Sequence, residues 1–270
     1  MLFQGKRNKR IRRGLGTVLL SGTLIMAAIL PASAGTGWYC TRAKDHRQPV
    51  ADPALRSVER YGGYYIDRNH TEPDAEDKVV YLTFDVGYEN GNVAKVLDAL
   101  QAEGATGAFF VLGHVAEQYP ELVQRMAAEG HLVCNHTYSH KNLCGAPSGA
   151  LTEELKRLER ACEDAAGVTV SKYYRPPEGS FDEAMLKEAQ SLGYQTIFWS
   201  FAYADWDNQK QPDPAAAQKK ILDNLHNGAV ILLHPTSATN AAILGDVLRS
   251  MKAQGYRFGT LDELTGGGGQ

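Results

Sequence analysis

A chain of 270 residues, 43% hydrophobic and 22% charged, can bury a real core in one large α/β domain or two small ones; this excludes a disordered or low-complexity protein. The net charge of −3 falls to about −9 once the six cations of residues 6–13 are set aside, which argues against nucleic acid as a partner. A local cleft can differ in sign from the whole, so an anionic wall polymer stays open as a partner.

The first thirty-four residues have the three parts of an export signal. Lys6, Arg7, Lys9, Arg10, Arg12 and Arg13 form a basic head, an apolar run follows from about Leu15 to Leu30, and Ala32-Ser33-Ala34 closes it. The run is shorter than the ~20 residues of a spanning helix, and Gly16, Ser21, Gly22 and Thr23 dilute it. Residues 1–34 are therefore expected to be a signal peptide cleaved after Ala34, leaving a secreted or envelope-associated protein. Uncleaved, the same segment is a membrane anchor. Residues 35–78, polar and rich in turn formers, read as a lead-in, and residues 265–270 as a flexible tail. Cys40, Cys134, Cys144 and Cys162 show neither a CxxC pair nor a zinc-ribbon spacing, and their pairing stays open.

From Val79 onward the pattern alternates. VVYLTF, bounded by charges before it and by Asp85 and Gly87 after, reads as a buried strand. Val93, Val96, Leu97 and Leu100 recur at helical spacing, with Gly104 as a stop. TGAFFVL, HLVCN, KYYR, YQTIFWS and AVILLH are further strands, and YRFG near 256–259 is a seventh. Helices are expected at 121–129 and near 152–166, 182–192, 214–226 and 239–254. Such βα alternation implies a parallel sheet, as a (β/α) barrel or an open doubly wound sheet. No G-x-G-x-x-G follows the first strand, so a nucleotide-binding fold gains no support.

The polar residues fall at strand ends. Asp85 ends the first strand, His136 and His140 follow the third, Arg175 ends the fourth, Asp205 and Trp206 come soon after the fifth, and His234 ends the sixth. In parallel α/β folds these ends converge on one face, where active sites form. HTYSH sets two imidazoles four residues apart, on one side of a helical turn, an arrangement that suits a divalent metal such as zinc. Asp85, beside Gly87, has the type and position of a general base. Arg175, on the rigid RPPEG turn, can hold that carboxylate ionised. An acidic neighbour such as Asp205 would keep His234 protonated as an acid. Trp206 can stack on a sugar or serve as core packing. His114 and His226 read as surface or capping residues and His131 as structural.

Together the motifs TFDVG, HTYSH, RPPEG, the DW of AYADWD, and LLH, in that order over roughly 79–264, resemble the NodB-type polysaccharide deacetylases, the fourth carbohydrate esterase family. YENG, FWSFAYADW and LLHPTSATN resemble the branch that deacetylates muramic acid in peptidoglycan and prepares the δ-lactam of spore cortex. The resemblance implies a distorted (β/α)7 barrel and metal-assisted removal of an acetyl group from an amino sugar. It gives Asp85 as base, His136 and His140 as ligands of a divalent metal, expected to be zinc, and His234 as acid tuned by Asp205. Arg175 would orient the base, the Glu178 backbone N–H would hold the oxyanion, and Tyr88 and Trp206 would bind the glycan. Peptidoglycan strands are the implied partner; chitin oligomers or another acetylated glycan, or a catalytically weak wall-binding protein, are the alternatives. Two departures stand out: Val86 takes the place of a second, metal-binding aspartate, and Glu178 stands where some muramyl-specific relatives carry a basic residue.

Overall fold

The computed structural model describes residues 1–2 and 35–267; residues 3–34 of the expected signal segment and residues 268–270 of the tail lie outside the described residues. The central element is a parallel sheet whose strands, in chain order, are β1 (Gly63–Tyr64), β2 (Lys78–Val86), β3 (Ala108–Val111), β4 (Leu132–Asn135), β5 (Ser171–Tyr174), β6 (Gln195–Ile197), β7 (Ala229–Leu233) and β8 (Tyr256–Phe258). Neighbours run β7-β2-β3-β4-β5-β6-β1, with β8 beside the start of β2. Past β6 the chain curls back onto β7. Phe201 bridges Ile231 in parallel, Ser200 N donates to Val230 O (2.9 Å), and Leu232 N donates to Phe201 O (2.9 Å). The sheet thereby closes into a distorted (β/α)7 barrel.

Strand β2 is buried along nearly its whole length, as a strand covered on both faces must be. Its alternate residues serve two cores. Val80, Leu82, Phe84 and Val86 pack in the cluster that holds the helix residues, while Val79 and Tyr81 belong to a second cluster with Phe110, Tyr173 and Ile197. Helix α1 (Val93–Ala102) buries Val93, Val96, Leu97 and Leu100, the stripe expected from their spacing. Of the expected helices, Pro120–Ala128, Ala150–Ala166, Glu183–Ser191, Pro214–Asp223 and Ala238–Ala253 are present within a few residues of their expected limits. The short helix Gly113–Gln118 is additional. Its first residue is a glycine because Tyr138 lies over it: a Cβ there would stand 2.1 Å from the ring.

The 35–78 segment, expected as a lead-in, packs into the same compact unit as the barrel. It supplies β1, and Trp38 lies buried with ring centroids 4.7 Å from both Tyr65 and Phe198. Trp38 N also donates to Gly179 O (2.9 Å), so this segment braces the RPPEG turn from outside. All four cysteines are free thiols. Among the described residues, no helix is long and apolar enough to cross a membrane.

Candidate active site

The carboxyl ends of the strands deliver their polar residues to one cleft of about 580 Å³, whose lining includes Asp85, Tyr88, His136, His140, Glu178, Trp206 and His234. Arg175 and Asp205 stand buried, each bonded to one of these residues. A larger groove along 143–151 and 181–191 contains none of them.

Arg175 is fully buried and uses its whole fork. Nη1 donates to Asp85 Oδ1 (2.7 Å), Nη2 to Thr83 Oγ1 (2.8 Å) and Phe198 O (3.1 Å), and Nε to Ile197 O (2.9 Å). The guanidinium also lies 4.2 Å from the Phe110 ring centroid. Burial opposes the charge on Asp85, but the positive field of Arg175, above all, outweighs it and holds the carboxyl below its ordinary range. Asp85 is thus a carboxylate at neutral pH, fixed in one orientation.

A register shift between β4 and β5 at Cys134 and Asn135 adjusts the backbone just where His136 and Arg175 leave the sheet. HTYSH does not form the expected helical turn. It is a bend in which Thr137 (φ 70°) and His140 (φ 56°) are left-handed. Such backbone costs about 1–2 kcal/mol per non-glycine residue and must be held by its surroundings. Asn135 Oδ1 accepts from Thr137 N (3.0 Å), Thr137 Oγ1 accepts from His140 N (3.0 Å), and Glu154 accepts from Ser139 N (2.7 Å) and Oγ (2.8 Å). The bend brings the two imidazoles to 5.0 Å between centroids, at 71°.

His136 Nδ1 lies 2.8 Å from the carbonyl of Arg175. A carbonyl only accepts, so Nδ1 carries the hydrogen and Nε2 keeps its lone pair. Burial, opposed by Asp85, lowers the pKa of this imidazole to about 4, so it is neutral. Its Nε2 then stands 3.5 Å from Asp85 Oδ2. Two acceptors face each other with no hydrogen between them, an arrangement that a cation satisfies. The fixed Nδ1–H is the usual outer support of a metal-bound histidine. Val86 adds no donor and lies fully buried in the apolar cluster. Among the described residues, no group of three or more metal-binding side chains is assembled. The site therefore fits a divalent ion held by two imidazoles, with fewer protein ligands than a closed structural site.

On the opposite wall, Asp205 Oδ1 accepts from His234 Nδ1 (2.7 Å), and Oδ2 accepts from His234 N (2.8 Å). Burial disfavours the imidazolium, but the hydrogen bond and charge of Asp205, together with Asp85, outweigh burial and raise the pKa of His234. Trp206, 59% exposed, stands edge-on to His234 at 6.1 Å, and Tyr88 is 41% exposed on the rim. Asn90 and Asn92 of the YENGN stretch both donate to Thr236 O (2.8 and 3.1 Å), tying the loop after β2 to the loop after β7. Glu178 is left-handed (φ 59°), and Gly179 beside it is required, since a Cβ there would meet Trp199 at 2.6 Å.

Two histidines differ in setting. His226 is not a surface or capping residue: it is buried, its Nε2 lies 2.9 Å from Ser200 Oγ, and burial lowers its pKa to about 4. His131 is structural, as expected, with Nδ1 accepting from Gly107 N (3.2 Å). Sequence reasoning missed Thr83, Tyr203 and Asn240. Thr83 could have been found, lying two residues before Asp85 on the same face of the strand.

A closed (β/α) barrel that gathers an ion-paired carboxylate, a pair of imidazoles and an acid-supported histidine at one rim has the groups that metal-assisted hydrolysis of an amide or ester requires. The family model "Polysaccharide deacetylase" matches residues 72–197. The peptidoglycan-N-acetylmuramic acid deacetylase PdaA of Bacillus subtilis is 38% identical over 248 residues, 92% of each chain. Its solved structure, a family 4 carbohydrate esterase, covers 87% of this chain and 98% of its own, with a TM-score of 0.80. A family 4 carbohydrate esterase from Bacillus anthracis is 31% identical, covers 85% of this chain and 97% of its own, and gives a TM-score of 0.67. The chain belongs to the polysaccharide deacetylase family.

Proposed function

We propose that the protein hydrolyses the N-acetyl group of an amino sugar in peptidoglycan strands, and that the sugar is N-acetylmuramic acid. The observation that carries this reading is the facing of two differently tuned groups across one cleft: Asp85, ionised by Arg175, and His234, supported by Asp205. The 38% identity to a muramic acid deacetylase over 92% of the chain supports the choice of sugar.

In this mechanism Asp85 takes a proton from the attacking water as its oxygen joins the acetyl carbon. The developing oxyanion is met by the backbone N–H of Glu178. His234, with Nδ1 held by Asp205, presents Nε2 to the sugar nitrogen and protonates it as the C–N bond breaks, releasing acetate and a free amine. Trp206 and Tyr88, exposed on the rim, hold the glycan by stacking. A divalent ion, zinc in this reading, bound by His136 and His140 would polarise the acetyl carbonyl as a Lewis acid. On muramic acid the freed amine lies next to the lactyl carboxyl, the pair needed to close a δ-lactam. The basic head, apolar run and A-x-A of residues 1–34 support export to the compartment that holds this substrate.

One observation favours a second sugar. Glu178 puts a negative charge on the cleft wall, which suits a neutral N-acetylglucosamine better than a free lactyl carboxylate. Acetate release from residues 35–270, on peptidoglycan strands with and without stem peptides and on chitin oligomers, each with zinc and with chelator, separates these readings. Release from muramic acid alone is expected. Release from chitin oligomers alone moves the assignment to glucosamine, and binding to strands without release moves it to a wall-binding protein.

A further inference from the structure

Asn240 closes the LLHPTSATN stretch, where the motif assigns it no role of its own, yet it is buried directly against the Asp205–His234 pair. Its Nδ2 donates to Asp205 Oδ2 (2.6 Å) and to His234 O (3.1 Å). Both partners only accept, so the amide orientation is fixed: the NH₂ faces them and Oδ1 faces away. On that far side Oδ1 accepts from the hydroxyl of Tyr203, a residue that itself lines the cleft. Ser237 Oγ, the cap of the helix Ala238–Ala253, accepts from Asn240 N (3.1 Å). Gln211 completes the frame, with Nε2 donating to Asp205 O (3.1 Å) and Oε1 accepting from Ser237 Oγ (2.6 Å).

We propose that Tyr203 and Asn240 form a buried hydrogen-bonded relay that positions Asp205, and through it fixes and charges His234. The inference rests on the assignment of His234 as the acid of the reaction. Asp205 is almost fully buried and receives three hydrogen bonds on its carboxylate, two from His234 and one from Asn240. A buried carboxylate stays ionised only while its acceptor sites are filled, and Asn240 supplies the one donor that does not come from the group being charged. Without it, Asp205 is freer to rotate, and its carboxylate no longer holds the orientation that grips the imidazole. The other charged groups that act on His234 are Asp85, which favours its charged form, and Arg175, which opposes it. Neither touches Asn240. Asn240 and Tyr203 are positioning residues, since their effect reaches the reacting atoms through the Asp205 carboxylate and the backbone carbonyl of His234.

The test uses Asn240→Leu, similar in shape but without donors, and Tyr203→Phe, which removes one hydroxyl. In each, the pKa of His234 is measured by NMR titration of its imidazole, and amide turnover is compared with hydrolysis of an activated aryl ester, whose leaving group needs no proton. Asn240→Leu is expected to lower the His234 pKa by about one unit, with a 10- to 100-fold loss of kcat on the amide and little change on the ester. Tyr203→Phe is expected to move both in the same direction by a smaller amount. A His234 pKa unmoved in Tyr203→Phe and in any folded Asn240→Leu, or equal losses on amide and ester, overturns the relay. A lowered pKa in protein that releases no acetate from any strand leaves the relay standing and removes the deacetylase reading instead.

Discussion

The Nδ1 atom of His234 and the Oδ1 atom of Asp205 meet at 2.7 Å, while the other carboxylate oxygen accepts from the backbone N–H of the same histidine. One carboxylate therefore grips one residue at two points, fixing both the ring and the strand end that carries it. The hydrogen on Nδ1 stays with Asp205, so any proton exchanged with substrate moves through Nε2.

This grip sets the alkaline side of the pH profile. His234 has a raised pKa, so its acid form is complete below the ordinary imidazole range and is lost as pH rises through the raised value. Activity on the amide is expected to fall on the alkaline side above pH 6.5, the reference value of a histidine. Asp205→Asn removes the charge, so that limb should move to lower pH and kcat should drop by about 10²–10⁴. The pH dependence of kcat/KM for both proteins checks this. A limb that stays in place in Asp205→Asn would mean that another group carries the proton.

Asp85 and Arg175 make the opposite case. The lowered pKa of Asp85 keeps the base form present through neutral pH and loses it only as pH falls through the depressed value. Asp85→Asn is expected to abolish turnover by about 10²–10⁴ with the fold intact. Arg175→Ala is expected to be worse for the protein than for the reaction. It strands a buried carboxylate and unbonds Thr83 Oγ1 and the carbonyls of Ile197 and Phe198, at about 3–5 kcal/mol. At about 2–4 °C per kcal/mol, thermal unfolding should come roughly 6–20 °C earlier. Calorimetry of the two variants separates the roles, and an Arg175→Ala protein as stable as wild type would reduce the pair to a surface-like bridge.

Much of this site was readable because strand ends are readable. Apolar runs such as VVYLTF and AVILLH stop at one polar residue each, and a parallel fold sends those residues to one rim. The βα order and most helix limits followed from the same periodicity. What stayed hidden depends on neighbours distant in sequence. The left-handed bend of HTYSH is held by Asn135, Thr137 and Glu154, and a spacing of four residues carries no sign of that. His226 is buried through contact with Ser200, twenty-six residues away. The 35–78 segment reads as polar because its few large apolar residues, Trp38 and Tyr65 among them, are spread between turns and meet only in the fold.

The pair His136 and His140 should bind a divalent ion, but less tightly than a site with a third protein ligand. Chelation is expected to remove amide turnover and zinc to restore it, and His136→Ala should lose both turnover and zinc binding. Dialysis against zinc with metal analysis reads the binding directly. Val86→Asp has a less favourable outlook than its position in the motif implies. Valine's side chain lies in the apolar cluster with Val93 and Leu112, so an aspartate must either leave that cluster or bury a charge there. The variant is expected to lose stability, by about 1–3 kcal/mol, with zinc recovering part of it. Full stability without zinc would show that this strand end can turn the side chain into the cleft at no cost.

Glu178 offers the sharpest control over substrate choice. Asp85 is paired with Arg175, but Glu178 has no cation at ion-pair distance among the described residues, and it is exposed on the cleft wall. Its charge is expected to oppose a free lactyl carboxylate and to be indifferent to one already amidated to a stem peptide. Glu178→Gln should therefore lower KM for peptide-free strands about threefold and Glu178→Arg about tenfold, with kcat nearly constant because the backbone N–H is retained. Strands bearing peptides should change little. The preference should also shrink as salt rises, since a charge effect at an exposed position is screened over about 10 Å at 0.1 M. KM ratios for the two strand types, measured at low and high salt, decide the point. Equal KM changes on both substrates would show that residue 178 acts through the shape of its turn and not through its charge.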